Sequence, residues 1–366
     1  MKRSIRFLLL KFRVSWLFLR LLFTGPGTVK NPVRVARKLL PDLKNAGEFP
    51  YIKKLFHHEG KYYWDLYLPG FPSKPFEYNL KQVIIRTTQS STANLYTLFI
   101  AITKKCGLQC EHCFEWDEIN KPETLSEDII HHNLSYYFRD RYFGQLFISG
   151  GEPMSRYPLL LSLLRTYGSK AECWIISSGA GFNLSRAKEL KQAGLTGLVI
   201  SLDSHHANSH DEFRGVAGTY TRALASIKHA QEAGLLTCLS LCVSKRTLSR
   251  QFLDGYMDLA RQLKVSFVQI LEPKAEGRYR NRDVRLALPQ VQLLGQFYRD
   301  YTNEKKYRTY PLVSYPDYKN RLLGCRGMDT HAYFDTNGDL HPCPFCKDGD
   351  GKCGYEYEVD DEICNK

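Results

Sequence analysis

Three cysteines, Cys106, Cys110 and Cys113, follow an apolar segment with the spacing Cys-x3-Cys-x2-Cys. Three thiolates on one short loop can hold three irons of a [4Fe–4S] cluster. The fourth iron then lacks a protein ligand and can bind another molecule, whereas a fully ligated cluster only passes electrons. A zinc ion with His112 as its fourth ligand is the alternative, but zinc sites usually arrange their cysteines in pairs. The spacing therefore favours the iron–sulfur cluster.

A second group with chemical potential is Gly150-Gly151-Glu152-Pro153, which begins 37 residues after Cys113 and directly follows another apolar segment. Glycine lets the backbone approach a ligand closely, because it has no Cβ. The Glu152 carboxylate can pair with an ammonium group. We therefore predict a ligand-binding turn at residues 150–153.

Small polar turns follow two further apolar segments. Ser178 lies in a Ser-Ser-Gly turn, which could equally be an ordinary connection between a strand and a helix. Ser201 opens a Ser-Leu-Asp-Ser turn, and His210-Asp-Glu-Phe-Arg214-Gly follows it. Arg214 could bind a carboxylate or hold a structural ion pair.

The cysteine spacing, the Gly-Gly-Glu-Pro turn and the later turns together resemble the radical S-adenosylmethionine (SAM) superfamily over residues 97 to about 350. The family often has an aromatic residue where this chain has His112. The resemblance implies that the amine and carboxylate of SAM chelate the open iron, and that electron transfer cleaves SAM to a 5′-deoxyadenosyl radical. It implies catalytic roles for Cys106, Cys110 and Cys113 and cofactor contacts from seven further residues: Gly150, Gly151, Glu152, Pro153, Ser178, Ser201 and Arg214.

Five of the eleven cysteines lie near the C-terminus, where Cys325-x12-Gly338-x4-Cys343 resembles the start of a SPASM extension, a domain with auxiliary iron–sulfur clusters. A full extension has more cysteines and a longer second half. The resemblance therefore implies one auxiliary [4Fe–4S] cluster, with Cys364 as an alternative fourth ligand and a structural zinc ion as the alternative metal. The expected ligands are Cys325, Cys343, Cys346 and Cys353.

The remaining cysteines, Cys173, Cys238 and Cys242, lie in apolar segments and are expected in the core. An odd number of cysteines and the short spacings between them favour metal ligation over disulfide bonds.

Short apolar strands alternate with longer helical segments from residue 97 onward, which predicts a parallel sheet with right-handed crossovers. Side chains at the carboxyl ends of such strands form the active sites. The fold class is therefore α/β, a partial (β/α)6 barrel with a basic N-terminal helical arm and a small cysteine-rich C-terminal extension. The predicted strands are Leu98–Thr103, Gln145–Ser149, Glu172–Ser177, Gly197–Leu202, Leu235–Val243 and Val265–Leu271.

Helices are predicted between these strands near residues 125–139, 157–168, 185–193, 219–233 and 248–263. Asp335 to Asp339 predicts a hairpin turn. We expect three domains: an N-terminal arm and connector at 1–95, the barrel at 96–305, and the auxiliary iron–sulfur domain at 306–366.

The net charge of +13 is concentrated at the N-terminus, where residues 1–60 contain thirteen Lys or Arg and three Asp or Glu. Residues 5–23 form an amphipathic pattern in which Arg6, Arg13 and Arg20 share one helical face. The apolar runs are too short to span a bilayer, and Lys11 interrupts a secretory signal pattern. We expect a helix on an anionic membrane surface, or one docked on the protein itself. A basic helical connector is expected at 31–60, and Lys61 to Leu68 is strand-like.

These patterns predict an enzyme that abstracts hydrogen from a substrate, with the class of oxidoreductase or transferase left open. The C-terminal extension favours a peptide or protein side chain as substrate, whereas the N-terminal arm favours a membrane lipid or small molecule. A non-catalytic electron-transfer protein is the alternative of another class. We expect a reductase or a flavodoxin- or ferredoxin-type electron donor, and cytoplasmic localisation with contact at the inner membrane face through residues 1–24. Leu and Phe dominate the first helix, which argues against nucleic-acid binding.

Overall fold

The computed structural model describes residues 2–24, 35, 37, 52–88 and 94–345. The described strands are short and mostly buried, as expected for strands covered by helices. They are β1 (Phe56–His58), β2 (Lys61–Tyr63), β3 (Thr97–Ala101), β4 (Gln145–Ser149), β5 (Glu172–Ser177), β6 (Leu195–Ser201), β7 (Leu236–Cys242), β8 (Phe267–Leu271), β9 (Leu312–Ser314), β10 (His331–Phe334) and β11 (Leu340–His341).

Helices follow most of these strands, and several begin at a capping residue. Ser126, Asn183 and Ser249 each accept a hydrogen bond from the backbone N–H three residues later, which satisfies a free donor of the first turn. The described helices are α1 (Lys2–Thr24), α2 (Lys74–Thr88), α3 (Glu127–Tyr137), α4 (Tyr157–Tyr167), α5 (Leu184–Gln192), α6 (Ala207–Arg214), α7 (Thr219–Glu232), α8 (Arg250–Gln262), α9 (Leu288–Asn303) and α10 (Pro316–Leu323).

A nine-stranded sheet forms the body, in the order β11-β10-β3-β4-β5-β6-β7-β8-β9. Strands β3 to β8 are the six predicted strands, and they pair in parallel as predicted. The sheet extends further than predicted, because β9 pairs in parallel with β8 and β10 pairs in parallel with β3. The predicted hairpin turn is confirmed between β10 and β11, which pair antiparallel. The fold is an α/β partial barrel.

Large apolar side chains fill the inside of the barrel. Phe147 of β4 stands beside Trp174 of β5 in the sheet register, and their rings stack with centroids 6.1 Å apart. Phe267 of β8 meets Trp174 edge-on at 5.8 Å. Inside-facing positions of the parallel strands therefore form a continuous packed layer rather than a pore.

The β1–β2 hairpin and the residues after it close the barrel at the amino-terminal ends of the strands. Tyr63 and Leu66 are buried in the same cluster as Trp174 and Phe267. The side-chain amide of Gln145, the first residue of β4, donates to the Leu66 carbonyl at 2.9 Å. The strand-like segment Lys61 to Leu68 is therefore a plug, of which Lys61–Tyr63 is a strand. The helical connector predicted at 31–60 is wrong at Phe56–His58, which forms strand β1 because its rings pack into this plug.

Helix α1 docks on the body through one face. Its residues Leu10, Val14 and Leu21 are buried in a cluster with Phe71 and Phe76, beside the plug and on α2. Among the described helices, none is long and apolar enough to cross a membrane.

Candidate active site

The loop after β3 carries the three cysteines at the carboxyl edge of the sheet. Cys110 is buried, and Cys106 and Cys113 are half-buried. Burial, with a smaller contribution from the neighbouring Cys110 thiol, raises the pKa of Cys106 to about 11 and that of Cys113 to about 12. Three thiols so close together lose their protons at neutral pH only if a positive group compensates for the charge. This donor set therefore fits an iron–sulfur cluster.

Backbone contacts hold the start of the cysteine loop. The N–H of Gly151 donates to the Thr103 carbonyl at 2.8 Å, and that of Glu152 donates to the Lys105 carbonyl at 2.8 Å. A Cβ on Gly151 would lie 2.4 Å from the Lys105 carbonyl oxygen, so the turn after β4 approaches the loop as closely as a backbone can. The Asn120 side chain accepts from the Cys106 N–H at 3.0 Å and donates to the Cys106 carbonyl at 2.9 Å.

The C-terminal end of α6 packs on the middle of the loop. The guanidinium of Arg214 donates to Asp203 at 2.6 Å and lies 3.4 Å from the Cys110 sulfur. Both Asp203 and Arg214 are buried, and the Asp203 charge raises the pKa of Arg214 despite the opposing effect of burial. The structure thus places Arg214 in an ion pair that also directs a positive charge to one of the three sulfurs.

Glu152 is a buried carboxylate with several hydrogen-bond donors around it. It accepts from the Ser177 hydroxyl at 2.7 Å, the Ser178 hydroxyl at 2.5 Å, the Ser178 N–H at 2.9 Å and the Met154 N–H at 3.2 Å. Burial raises the pKa of Glu152, and these hydrogen bonds oppose that rise. Among the described residues, no cation forms an ion pair with it. A bound ammonium group would supply the missing positive charge.

The turn after β8 packs on the end of the cysteine loop. Gly277 has φ of +55°, and a Cβ at this position would lie 2.3 Å from the Cys113 carbonyl oxygen. The N–H of Arg278 donates to the same carbonyl at 3.0 Å. Its guanidinium lies over the Trp116 ring at 4.4 Å. The Gly-Arg turn at residues 277–278 therefore contacts the cysteine loop through its backbone.

The other predicted cofactor residues lie along the same edge. Gly150 has φ of +130° directly after β4, and Pro153 begins a short 3-10 helix that Glu152 caps. Ser178 follows β5 and is bonded to Glu152. Ser201 is the last residue of β6 and is half-buried. The structure therefore brings the predicted residues of four successive strand ends to one edge of the sheet.

His112 lies in the cysteine loop with its ring centroid 4.9 Å from that of Phe213. Desolvation lowers the pKa of His112 to about 4, so the imidazole is neutral at physiological pH. Its Nδ1 atom is buried without a hydrogen-bond partner in the described part of the chain. Over residues 7–23, 52–88 and 94–345, no three His, Cys, Asp or Glu side chains lie close enough to surround a single metal ion.

The C-terminal cysteines are described only in part. Cys325 is half-buried two residues after α10, and Cys343 is buried after β11. Burial, with a smaller contribution from the nearby Cys325, raises the pKa of Cys343 to about 11. The predicted ligands Cys346 and Cys353 and the alternative Cys364 lie outside the described residues. All eight described cysteines are free thiols, and Cys173, Cys238 and Cys242 are buried in the core as predicted.

The β10–β11 hairpin contacts the cysteine loop directly. The buried Lys104 ammonium donates to Asn337 in the hairpin turn at 2.7 Å and to Glu118 at 2.8 Å. Tyr333 of β10 donates to Glu115. The C-terminal extension therefore supports the same loop that carries Cys106, Cys110 and Cys113.

A cavity of about 250 Å³ lies at the opposite edge, where β5 and β6 begin. Lys61, Glu172 and Lys191 line it, and it contains none of the predicted site residues. It lies between the plug and the starts of these strands, at the edge opposite the three cysteines.

Two residues of the site were missed from the sequence. Asp203 links three elements, because it pairs with Arg214, accepts from the Cys242 N–H at 3.2 Å and donates its own N–H to His210 at 3.1 Å. Its place between Ser201 and Arg214 in one motif was the available signal. No sequence pattern identifies Asn120, because its contact with Cys106 depends on a loop in which Asn120 has φ of +62°.

The fold and site together define a partial-barrel protein built around a loop of three thiols. Residues 100–250 match the model of the Radical SAM superfamily. The chain is 30% identical over 167 residues to the AdoMet-dependent heme synthase of Methanosarcina barkeri, which covers 44% of this chain and 46% of that protein. It is 33% identical over 145 residues to the GTP 3′,8-cyclase of Listeria welshimeri, covering 37% of this chain and 41% of the cyclase. Residues 100–250 of this chain are therefore a radical SAM domain.

The matches span less than half the length of both curated relatives. A longer structural match is to Streptococcus suis SuiB bound to the precursor peptide SuiA, with a TM-score of 0.59 and 17% identity. It covers 95% of this chain and 82% of that one. At this identity the likeness establishes the partial-barrel fold.

Proposed function

We propose that this protein reductively cleaves SAM and abstracts a hydrogen atom from a substrate. The observation that carries the proposal is one loop of three thiols enclosed by the turns after β4 and β8 and by the end of α6. A [4Fe–4S] cluster with bound SAM would supply a 5′-deoxyadenosyl radical at this edge.

The chain's own residues divide the work of binding and positioning. Cys106, Cys110 and Cys113 hold the cluster, and Arg214 lowers the cost of negative charge at Cys110. Glu152 binds the SAM ammonium, with Ser177 and Ser178 fixing the carboxylate. Gly150, Gly151 and Pro153 let the backbone approach the cofactor. Ser201 lies at the same edge and contacts the cofactor.

A peptide or protein side chain is the proposed substrate class. The C-terminal cysteines support it, as does the similarity in fold to a protein that binds a precursor peptide. The second candidate is a small molecule or lipid, because the curated relatives with higher identity are a heme synthase and a GTP cyclase.

We also propose one auxiliary [4Fe–4S] cluster in the C-terminal extension. The nearness of Cys325 to Cys343 supports the pairing of these two ligands. Cys346 and Cys353 complete the proposed set, with residues 306–366 as the unit that carries it and residues 1–95 and 96–305 as the other two units.

An electron donor is part of the proposal, because SAM cleavage requires one electron. Lys105, Gly107 and Gln109 in the cysteine loop are exposed. A reductase or a donor of the flavodoxin or ferredoxin type can therefore approach the loop from solvent.

Contact with an anionic membrane through residues 1–24 is a further part of the proposal, with the enzyme on the cytoplasmic face. Helix α1 contains six Lys or Arg and no Asp or Glu, and it exposes large apolar side chains. This combination is typical of helices that lie in the membrane interface.

Changing Cys110→Ala tests the chemistry, because two thiolates hold the cluster poorly. Anaerobically reconstituted and reduced wild-type protein should convert SAM to 5′-deoxyadenosine, and the variant should not. Cys173→Ala is the matched control, since Cys173 is fully buried in β5 away from the loop, and it should retain the activity. Product formation by the Cys110 variant would refute the site assignment. Wild-type protein with a reducible cluster but no product would favour the electron-transfer alternative.

A further inference from the structure

Helix α1 has two opposite apolar faces. Leu10, Val14, Leu17 and Leu21 form the docked face. On the other face, large apolar residues each expose 50–69% of their surface to solvent. At about 100° of rotation per residue, its members fall within a stripe about 100° wide on the side opposite the docked face. This exposed stripe consists of Leu8, Leu9, Phe12, Trp16, Leu19 and Phe23.

Basic side chains border the exposed stripe. By the same rotation, Lys11 lies on one side of it and Arg13 on the other. Arg13 is exposed and lies 5.5 Å from the Phe71 ring, which holds it near the body. An apolar stripe between cations complements the acyl chains and anionic headgroups of a membrane leaflet. Because the helix is cationic, an anionic membrane leaflet is a better partner for the stripe than a second copy of the same helix.

The contacts of α1 show at which edge of the barrel the helix lies. The α1 residue Arg20 pairs with Glu77 of α2 at 2.6 Å. In α2, the Asn79 amide packs against Gly144, directly before β4. Phe71 belongs to the α1 cluster, and the preceding Gly70 donates its N–H to Glu172, the first residue of β5, at 3.0 Å. Helix α1 therefore lies at the amino-terminal edge of the sheet, whereas the cysteines lie at the carboxyl edge.

We infer that the exposed stripe seats the protein on an anionic membrane with its three-cysteine loop directed away from the lipid. The inference rests on the proposed membrane contact and extends it to an orientation. It favours a substrate that arrives from the aqueous side, such as a peptide, over one that stays embedded in the bilayer.

Two tryptophans can report which edge of the sheet contacts lipid. Trp16 belongs to the exposed stripe, and Trp116 is 36% exposed and follows Cys113 in the catalytic loop. Full-length protein is mixed with vesicles of phosphatidylglycerol whose acyl chains are brominated, which quench only tryptophans in contact with lipid. We expect quenching in the wild type, loss of most of it in Trp16→Phe, and retention in Trp116→Phe. Phe preserves an apolar ring at both positions, so binding itself is maintained.

The same experiment separates the ways in which the inference can fail. Quenching that survives in Trp16→Phe but disappears in Trp116→Phe would overturn the orientation and leave membrane binding intact. Absence of both quenching and co-sedimentation in the wild type would overturn the membrane contact itself. Equal binding to purely zwitterionic vesicles would refute the requirement for anionic lipid.

A substitution in the stripe supplies the second line of evidence. Phe12→Ser should weaken vesicle binding about tenfold, because it removes one lipid-buried aromatic side chain. If Phe12→Ser instead dissociated a dimer in sedimentation velocity without vesicles, a second copy would be the occupant and the inference would be wrong. The Cys110→Ala variant should bind vesicles like the wild type, so failure of the chemistry would not be confused with failure of the orientation.

Discussion

Glu152 shows what a single side chain contributes to this site. The residue is 5% exposed and its carboxylate accepts four hydrogen bonds, but no described cation pairs with it. We expect Glu152→Gln to weaken SAM binding about tenfold or more, since hydrogen bonds to charged groups contribute about 1.5–3 kcal/mol. Because burial raises the pKa of Glu152, wild-type affinity should fall as the pH is lowered into the acidic range. Protonation of Glu152 removes the charge that attracts the ammonium. The Gln side chain has no such charge to lose, so the affinity of the variant should not show this pH dependence. Equilibrium dialysis of cluster-loaded protein at several pH values measures both effects.

Glu172→Gln is the matched control for this prediction. Glu172 is also a buried carboxylate whose pKa is raised by burial, but it begins β5, whereas the Glu152 site lies where β5 ends. SAM affinity should stay unchanged in this control. Unchanged affinity in Glu152→Gln as well would make Glu152 a structural residue.

At the scale of residues, the sequence predicts the groups that carry chemistry better than those that position them. The spacing of Cys106, Cys110 and Cys113 is visible locally, because three ligands of one cluster must share a short loop. The role of Asn120 depends on a loop fold that brings it back to Cys106, and no periodic pattern encodes this. Asp203 acts through Arg214, Cys242 and His210, which come together only after three elements have packed.

The turn after β8 illustrates how an element positions a loop that it does not belong to. Gly277→Ala would place a methyl group against backbone atoms of Cys113 and Phe114, which cannot move without displacing the loop. We expect the iron bound at the cysteine loop to fall severalfold in this variant. The count is made in a chain that also carries Cys325→Ala and Cys343→Ala, so that only iron at the loop is measured. Iron analysis and cluster absorbance after anaerobic reconstitution provide the readout.

Gly60→Ala controls for backbone strain in this experiment. Gly60 has φ of +80°, but a Cβ there meets no atom within 4 Å. The control therefore carries a strain of about 1 kcal/mol without a clash. Equal iron in Gly277→Ala and Gly60→Ala would show that the turn does not support the loop.

At the scale of elements, the six central strands are predicted because buried parallel strands appear as separate apolar runs. Strands β9 and β10 are not, because they have three and four residues and pair with partners far away in sequence. The role of Lys61–Tyr63 as a plug is also missed, since its alternation predicts a strand but not the barrel end that it closes.

The C-terminal segment pairs with the first and the last of the six central strands of the sheet. Strand β9 pairs with β8, and β10 pairs with β3, the strand that leads into the cysteine loop. The spacing of the C-terminal cysteines predicts a separate domain at 306–366, and two strands of that segment pair with strands of the barrel. Cysteine spacing reports metal ligation but carries no information about which strands the ligands lie between.

Removal of residues 306–366 therefore tests how far the extension is independent. The truncated chain would lose the Lys104–Asn337 contact and leave β3 and β8 as unpaired edges. Exposed edges of buried strands promote aggregation. We expect the fragment 1–305 to aggregate or to lose native secondary structure by far-UV circular dichroism, and the full chain to unfold in one urea transition seen equally by circular dichroism and tryptophan fluorescence. Two separate transitions, or a fragment that keeps native ellipticity and binds iron at its three remaining loop cysteines, would instead establish the extension as an autonomous domain. Cooperative unfolding is expected because the strand that delivers Cys106 pairs with one from the extension.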